Sequence, residues 1–219
     1  MFKATPQNPE LGSVNPYTIK SKCSYLRRHF DRIERVFQEE SEELWKGCLA
    51  EQERTKDHDD DSEHDYRNSD DLREIEFVSL RMHRYSIILA SYAYLENSMS
   101  KLCAEYYISM KLPLEPTEIK GEGITKFRTY LEKLAKIELK TVNKQWSSLS
   151  ALNTIRNCII HADGDANLLK NPKILINIVN NQQNLSFIEE RLIMMDNSYI
   201  HSTIDTIESF LLHIFETGN

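Results

Sequence analysis

The sequence predicts an all-α, helix-dominated chain, and three observations carry that reading. Only 6 Gly and 6 Pro punctuate 219 residues, so tight turns are few. Apolar residues recur at steps of three and four over most of the chain, the period of helices that bury one face. Hydrophobic residues make up 40% and charged residues 28%, enough apolar material for the core of one large or two small domains.

Residues 1–16 hold Pro6, Pro9, Gly12 and Pro16 among Asn, Gln and Ser, a composition that buries too little apolar area to fold alone and reads as a flexible or docked arm. From Tyr17 to Glu53, Tyr25, Leu26, Phe30, Ile33, Val36, Phe37, Leu44, Trp45 and Cys48 keep mostly helical spacing and predict a long amphipathic helix. Residues 56–71, KDHDDDSEHDYRNSDD, contain one aromatic and no aliphatic side chain; they predict a solvated acidic loop. The arm, a helical extension with its acidic loop over 17–71, and a helical domain over 72–219 are the expected organisation.

Helix is expected to resume after Ser69 or Asp70. The run Ile75, Val78, Leu80, Met82, Tyr85, Ile88, Leu89, Tyr92, Leu95, Met99, Leu102, Cys103 and Tyr106 predicts a central helix that stops before Pro113 and Pro116. In IKGEGITKFRTYLEKLAKI, two glycines precede Ile124, Phe127, Leu131, Leu134 and Ile137, which predicts a turn and then a helix. A further helix from about Lys144 is expected to end near Asp163-Gly164. Asn171-Pro172 opens a short apolar stretch, Ile174 to Val179, that suits a helix. Leu185 to Met195 fits a small hairpin or a helix, which period alone does not decide. Asp196, Asn197 or Ser198 can cap a last helix built on Ile200, Ile204, Ile207, Phe210, Leu211, Ile214 and Phe215.

Composition also bounds function. The net charge of −7 argues against a nucleic-acid partner, until its distribution is considered. Glu39 to Glu76 carry 16 acidic and 5 basic residues, a local net of −11 that leaves +4 elsewhere. The cysteines at 23, 48, 103 and 158 form no CxxC pair and are expected to be reduced, mostly buried thiols. No stretch approaches a membrane span and MFKATPQNPE has no apolar signal core, so a cytoplasmic protein without membrane attachment is expected. The Asp57–Asp61 and Glu63–Asp65 cluster offers carboxylates and imidazoles, but not the glycine spacing of a calcium loop; no metal and no cofactor is expected.

The chemistry concentrates on the Trp146 helix. At about 100° per residue from Trp146, Leu149, Leu152, Ile159 and Ile160 form one apolar face with Arg156 near its middle, while Asn153, Asn157 and His161 run along one border. A guanidinium there is costly unless an anion or partner meets it. A core acid such as Glu96 is one candidate for that partner, which would make Arg156 a fold element. His161 can equally serve as a helix-terminal residue meeting the last carbonyls, and Asn157 as a structural amide.

The string Arg156-Asn157-Cys158-Ile159-Ile160-His161 resembles the Arg-x4-6-His motif of HEPN domains, helical proteins that include many metal-independent endoribonucleases, often toxins or antiviral effectors. Asn directly after Arg and Asp-Gly after the helix make the match more specific than the two residues alone. SYAYLENSMSKL with Glu96, and KGEGITKFRTYLEKL before a Trp-containing helix, are similar to early helices of the family; the likeness covers roughly residues 75–216. It implies an up-and-down helical bundle, a homodimer, and an RNA substrate in a composite cleft, with no cofactor. Arg156 would hold the scissile phosphate, His161 would move the proton when a ribose 2′-OH attacks, and Asn157 would fix the imidazole or bind phosphate. Glu96 and Asn153 would support them. An antitoxin or other regulatory protein is a further implied partner. One branch carries Tyr two residues after the motif histidine, where this chain has Asp163. The alternative is a non-catalytic helical protein that binds RNA, a nucleotide or a protein partner on the same scaffold.

Overall fold

The computed structural model describes residues 13–55, 70–194 and 196–218. Most of the arm and the acidic segment 56–69, with its Asp57–Asp65 ligand-rich cluster, lie outside the described residues. Among the described residues the chain is predominantly helical, with one two-stranded antiparallel hairpin.

Helix α1 spans Pro16–Thr55. Its start is set by a reciprocal cap: Asn15 Oδ1 accepts from the Thr18 backbone N–H at 2.9 Å, and Thr18 Oγ1 accepts from the Asn15 N–H at 3.0 Å. Pro16, at the first helical position, has no N–H to leave orphaned. Ile19, Cys23, Leu26 and Phe30 are buried in the same core cluster as the later helices. Beyond Glu34 the helix leaves Val36, Trp45 and Leu49 exposed while Cys48 stays buried.

The central helix begins at residue 70, passes through a π-helical turn, Glu74–Ser79, and continues as α2, Leu80–Ser109. The π turn absorbs the irregular spacing of Ile75, Val78, Leu80 and Met82: it buries Ile75 and leaves Phe77, Val78 and Met82 at the surface. From Tyr85 to Tyr106, α2 is buried on more than one side, with Ile87, Ser91 and Ser98 joining the expected stripe. It ends before Pro113, with Lys111 in the left-handed region at φ 51°.

Helix α3, Gly123–Lys133, is shorter than the apolar spacing suggests. Lys136 takes φ 58°, so Ile137 reaches the core from a loop, not from a helix. Helix α4 spans Asn143–Ala162 and α5 spans Pro172–Asn180. The 185–195 alternative resolves as a hairpin: β1, Leu185–Ile188, pairs with β2, Arg191–Met194, in the register Leu185↔Met194 to Ile188↔Arg191. Its two-residue turn, Glu189-Glu190, holds both backbones at positive φ, 49° and 66°. Helix α6, Ser198–Gly218, follows Asp196, which accepts from the Ser198 N–H at 2.8 Å. Ile200, Ile204, Ile207, Phe210, Leu211 and Ile214 are buried on it, and α6 packs against α1, α2 and α4. Each fully buried side chain of this size contributes roughly 1.5–3 kcal/mol.

Two ion-pair sets tie α1 to that core. Arg27 donates to Asp205 and Glu208 of α6, and Arg84 of α2 grips the buried Glu34 through two nitrogens. No helix among the described residues is long and apolar enough to cross a membrane.

Candidate functional site

Helix α4 carries every residue of the Arg-Asn…His string, and its buried face differs from the expected one. Leu149, Leu152, Ile155, Cys158, Ile159 and Ala162 are the buried positions, a face centred about 200° from Trp146 on the ideal wheel. Ile160, expected inside, is 46% exposed. Arg156 therefore flanks the core instead of standing in the middle of its face. Ile155 and Cys158, which the four-residue apolar arc omitted, take the interior place because α2 and α6 both press on that side.

The partners of Arg156 are neutral. Its Nη1 donates to Asn157 Oδ1 at 2.8 Å, and its guanidinium carbon lies 5.2 Å from the Tyr92 ring centroid, within cation–π range. Six arginines among the described residues are half-buried: Arg27, Arg81, Arg84, Arg128, Arg191 and Arg156. The first five each meet a carboxylate. Arg156 meets none among the described residues, so Glu96 is not its ion-pair partner.

Glu96 is nevertheless close. Its Oε1 and the Tyr92 hydroxyl both border Gly123, at 3.2 and 3.3 Å from where a Cβ would stand. Gly123, at φ 55°, starts α3 there without a side chain. Burial raises the Tyr92 phenol above its ordinary pKa, Glu96 adds to that, and the Arg156 charge opposes it. Tyr92 thus neighbours both Glu96 and Arg156. Sequence spacing placed Tyr92 in the core without revealing that its ring would carry the guanidinium.

Asn157 Oδ1 accepts from Arg156, and no hydrogen bond joins Asn157 to His161 among the described residues. Asn157 orients the guanidinium. His161 is exposed in the last turn of α4, with no hydrogen bond among the described residues. Asn153 is half-buried and makes no side-chain hydrogen bond among them either. The structure thus joins Arg156 to Asn157 and, through Tyr92, to the neighbourhood of Glu96, and leaves His161 at the surface beside the exposed Ile160.

The helix end is built tightly. Asp163 adopts the left-handed conformation at φ 47°, with its N–H on the Cys158 carbonyl, and the Gly164 N–H bonds the same carbonyl at 3.2 Å. Gly164, at φ 79°, lies against Tyr85, whose hydroxyl a Cβ would overlap. That hydroxyl donates to the Leu192 carbonyl at 2.5 Å, and the Leu192 N–H donates to Gly164 at 2.9 Å. The hairpin is therefore bonded onto the end of the helix that bears His161. Cys158, one turn earlier, is fully buried with its thiol pushed up to about 11 by burial first and Asp165 and Asp163 next; it is no nucleophile. No grouping of three or more His, Cys, Asp or Glu suited to a metal occurs among the described residues. Compared with known protein families, with curated proteins and with solved structures, the chain shows no match.

Proposed function

We propose that this protein is a HEPN-type endoribonuclease that cleaves RNA by attack of a ribose 2′-OH on the adjacent phosphate, acts as a homodimer without a metal, and serves as a toxin or antiviral effector. The observation that carries the reading is Arg156: alone among six half-buried arginines of the described residues, its charge meets no carboxylate. A scissile phosphate supplies the missing anion, and the planar guanidinium suits its non-bridging oxygens. Asn157 and the Tyr92 ring hold the guanidinium ready. His161 takes or gives the proton, since imidazole ionises near neutral pH.

One α4 helix presents Arg156 at the core flank and His161 at the helix tip. Two copies facing each other bring a second Arg156 and His161 to the same strand. Ile160, 46% exposed beside His161, and Leu168, 70% exposed, suit such a face.

The test incubates the full chain with mixed RNA in EDTA and analyses the ends. Cleavage leaving 2′,3′-cyclic phosphates, lost in Arg156→Ala and His161→Ala while circular dichroism and oligomeric state stay constant, is the expected result. Cutting that survives both substitutions rejects the assignment. The non-catalytic alternative draws on the unbonded, exposed His161; RNA binding without any cutting by the wild type would favour it.

A further inference from the structure

Asp163 presents one carboxylate, 67% exposed, to two guanidiniums. Arg191 Nη1 donates to its Oδ2 at 2.5 Å and to its backbone carbonyl at 2.9 Å. Arg81 Nη1 approaches Oδ1 at 3.3 Å and the same carbonyl at 3.4 Å. Arg81 is held in place by its Nε bond to the Phe77 carbonyl and by the Tyr85 ring below it. One carboxylate between two guanidiniums leaves a positive charge in excess.

Both arginines line a cleft of about 500 Å³ between the π turn and the hairpin, a size that suits a small organic ligand. One wall is apolar, with Phe77 39% and Val78 40% exposed and Ile188 opposite. Asp70 and Glu74, both exposed, and the exposed ion pair of Arg73 with Glu189 at 3.6 Å complete the lining. The hairpin wall turns through Glu189 and Glu190, two non-glycine residues at positive φ, a conformation that surrounding structure must hold in place.

Three chemistries meet here, and together they select the ligand. The arginine pair asks for a phosphate, the Phe77 wall for a planar apolar body, and the rim carboxylates for hydroxyl or amino donors. A bare anion leaves Phe77 unused. A polyphosphate or an oligonucleotide would carry its further charges against Asp70, Glu74 and Glu189, the last already holding Arg73. We propose that this cleft binds a nucleoside monophosphate, whose phosphate replaces Asp163 on Arg81 and Arg191 while the base lies on Phe77 and ribose hydroxyls or the base amine donate to the rim. Displacing Asp163 releases the residue that ends α4 two positions after His161. On the nuclease reading, the bound nucleotide slows RNA cutting by loosening the end of the helix that positions His161.

The test is calorimetric titration of the full chain with AMP, GMP, CMP and UMP, with inorganic phosphate and adenosine as the separated parts. At least one mononucleotide is expected to bind more tightly than either part. Arg191→Gln and Phe77→Ala should each weaken it about tenfold or more, the scale of one lost charge-assisted or stacking contact. Asp163→Asn should tighten it, because the competing charge is gone and Asn tolerates the left-handed backbone. Binding that is absent from both wild type and Asp163→Asn, unchanged by Arg191→Gln and Phe77→Ala, or matched by inorganic phosphate alone overturns the proposal. These titrations stand whether or not the protein cuts RNA. If it does cut, mononucleotide at the wild-type Kd should slow the wild type and largely spare Phe77→Ala; equal slowing of both at that concentration would overturn the coupling.

Discussion

Replacing Arg156 by methionine separates a functional arginine from a structural one, and Arg84 provides the internal reference. Methionine keeps the length and apolar stem of arginine and removes its charge. At position 156 the change forfeits the charge-assisted bond to Asn157, worth about 1.5–3 kcal/mol, and the contact with Tyr92, worth about 0.5–1 kcal/mol at a half-exposed site. It also relieves a half-buried charge that no carboxylate offsets, which recovers about 1–3 kcal/mol. The effects largely cancel, leaving a net loss of about 1 kcal/mol. At position 84 the same change strands Glu34, 2% exposed, without its partner, a loss of about 3–5 kcal/mol. For a chain of this size about 1 kcal/mol moves Tm by roughly 2–4 °C. Thermal and urea unfolding followed by circular dichroism should therefore show Arg156→Met within about 4 °C of wild type and Arg84→Met lower by roughly 6 °C or more. A fall at 156 as large as that at 84 would mean that the fold does neutralise Arg156, and the argument for a phosphate there would fail.

Gly164→Ala should destabilise the chain by a few kcal/mol, since it forces a Cβ at φ 79° onto the Tyr85 hydroxyl; adding Tyr85→Phe should recover part of the loss in the same unfolding assay, and no recovery would place the strain elsewhere. His83 stacks on Phe30 at 5.2 Å and its Nε2 lies 3.3 Å from the Phe30 carbonyl. Burial first, then the charges of His29 and Arg84, lower its pKa, against the pull of that carbonyl and of Glu34. The unfolded chain then binds the proton more readily, so His83 costs no stability above the ordinary value of 6.5 and costs increasingly as pH falls below it. Tm measured from pH 8 to 5 should fall less steeply in His83→Gln than in wild type; parallel profiles would contradict this. All four cysteines are buried, and burial pushes the Cys23 and Cys103 thiols to about 12, so a thiol reagent should leave the native protein unlabelled and modify every cysteine after denaturation.

The spacing of apolar residues located helices over 16–55, 80–109, 143–162 and 198–218 because each of them buries one or more faces against neighbours, and burial is what periodicity records. It overshot at α3, where Lys136 turns left-handed and Ile137 enters the core from a loop. It left 185–195 undecided because a four-residue strand shows too few alternations. The Arg-Asn…His string was equally visible, but a wheel built on four apolar residues placed Arg156 in the middle of a face that tertiary packing rotated toward Ile155 and Cys158.

From residue order alone came the helical class, the position of the string near the end of one helix, and the confinement of acidity to one segment, all of which depend on neighbours a few positions apart. Contacts between distant segments needed the folded chain: Tyr92 under Arg156 across 64 positions, and Asp163 shared by Arg81 and Arg191. Such pairings follow from how helices cross and where a hairpin lands, and no local period encodes either.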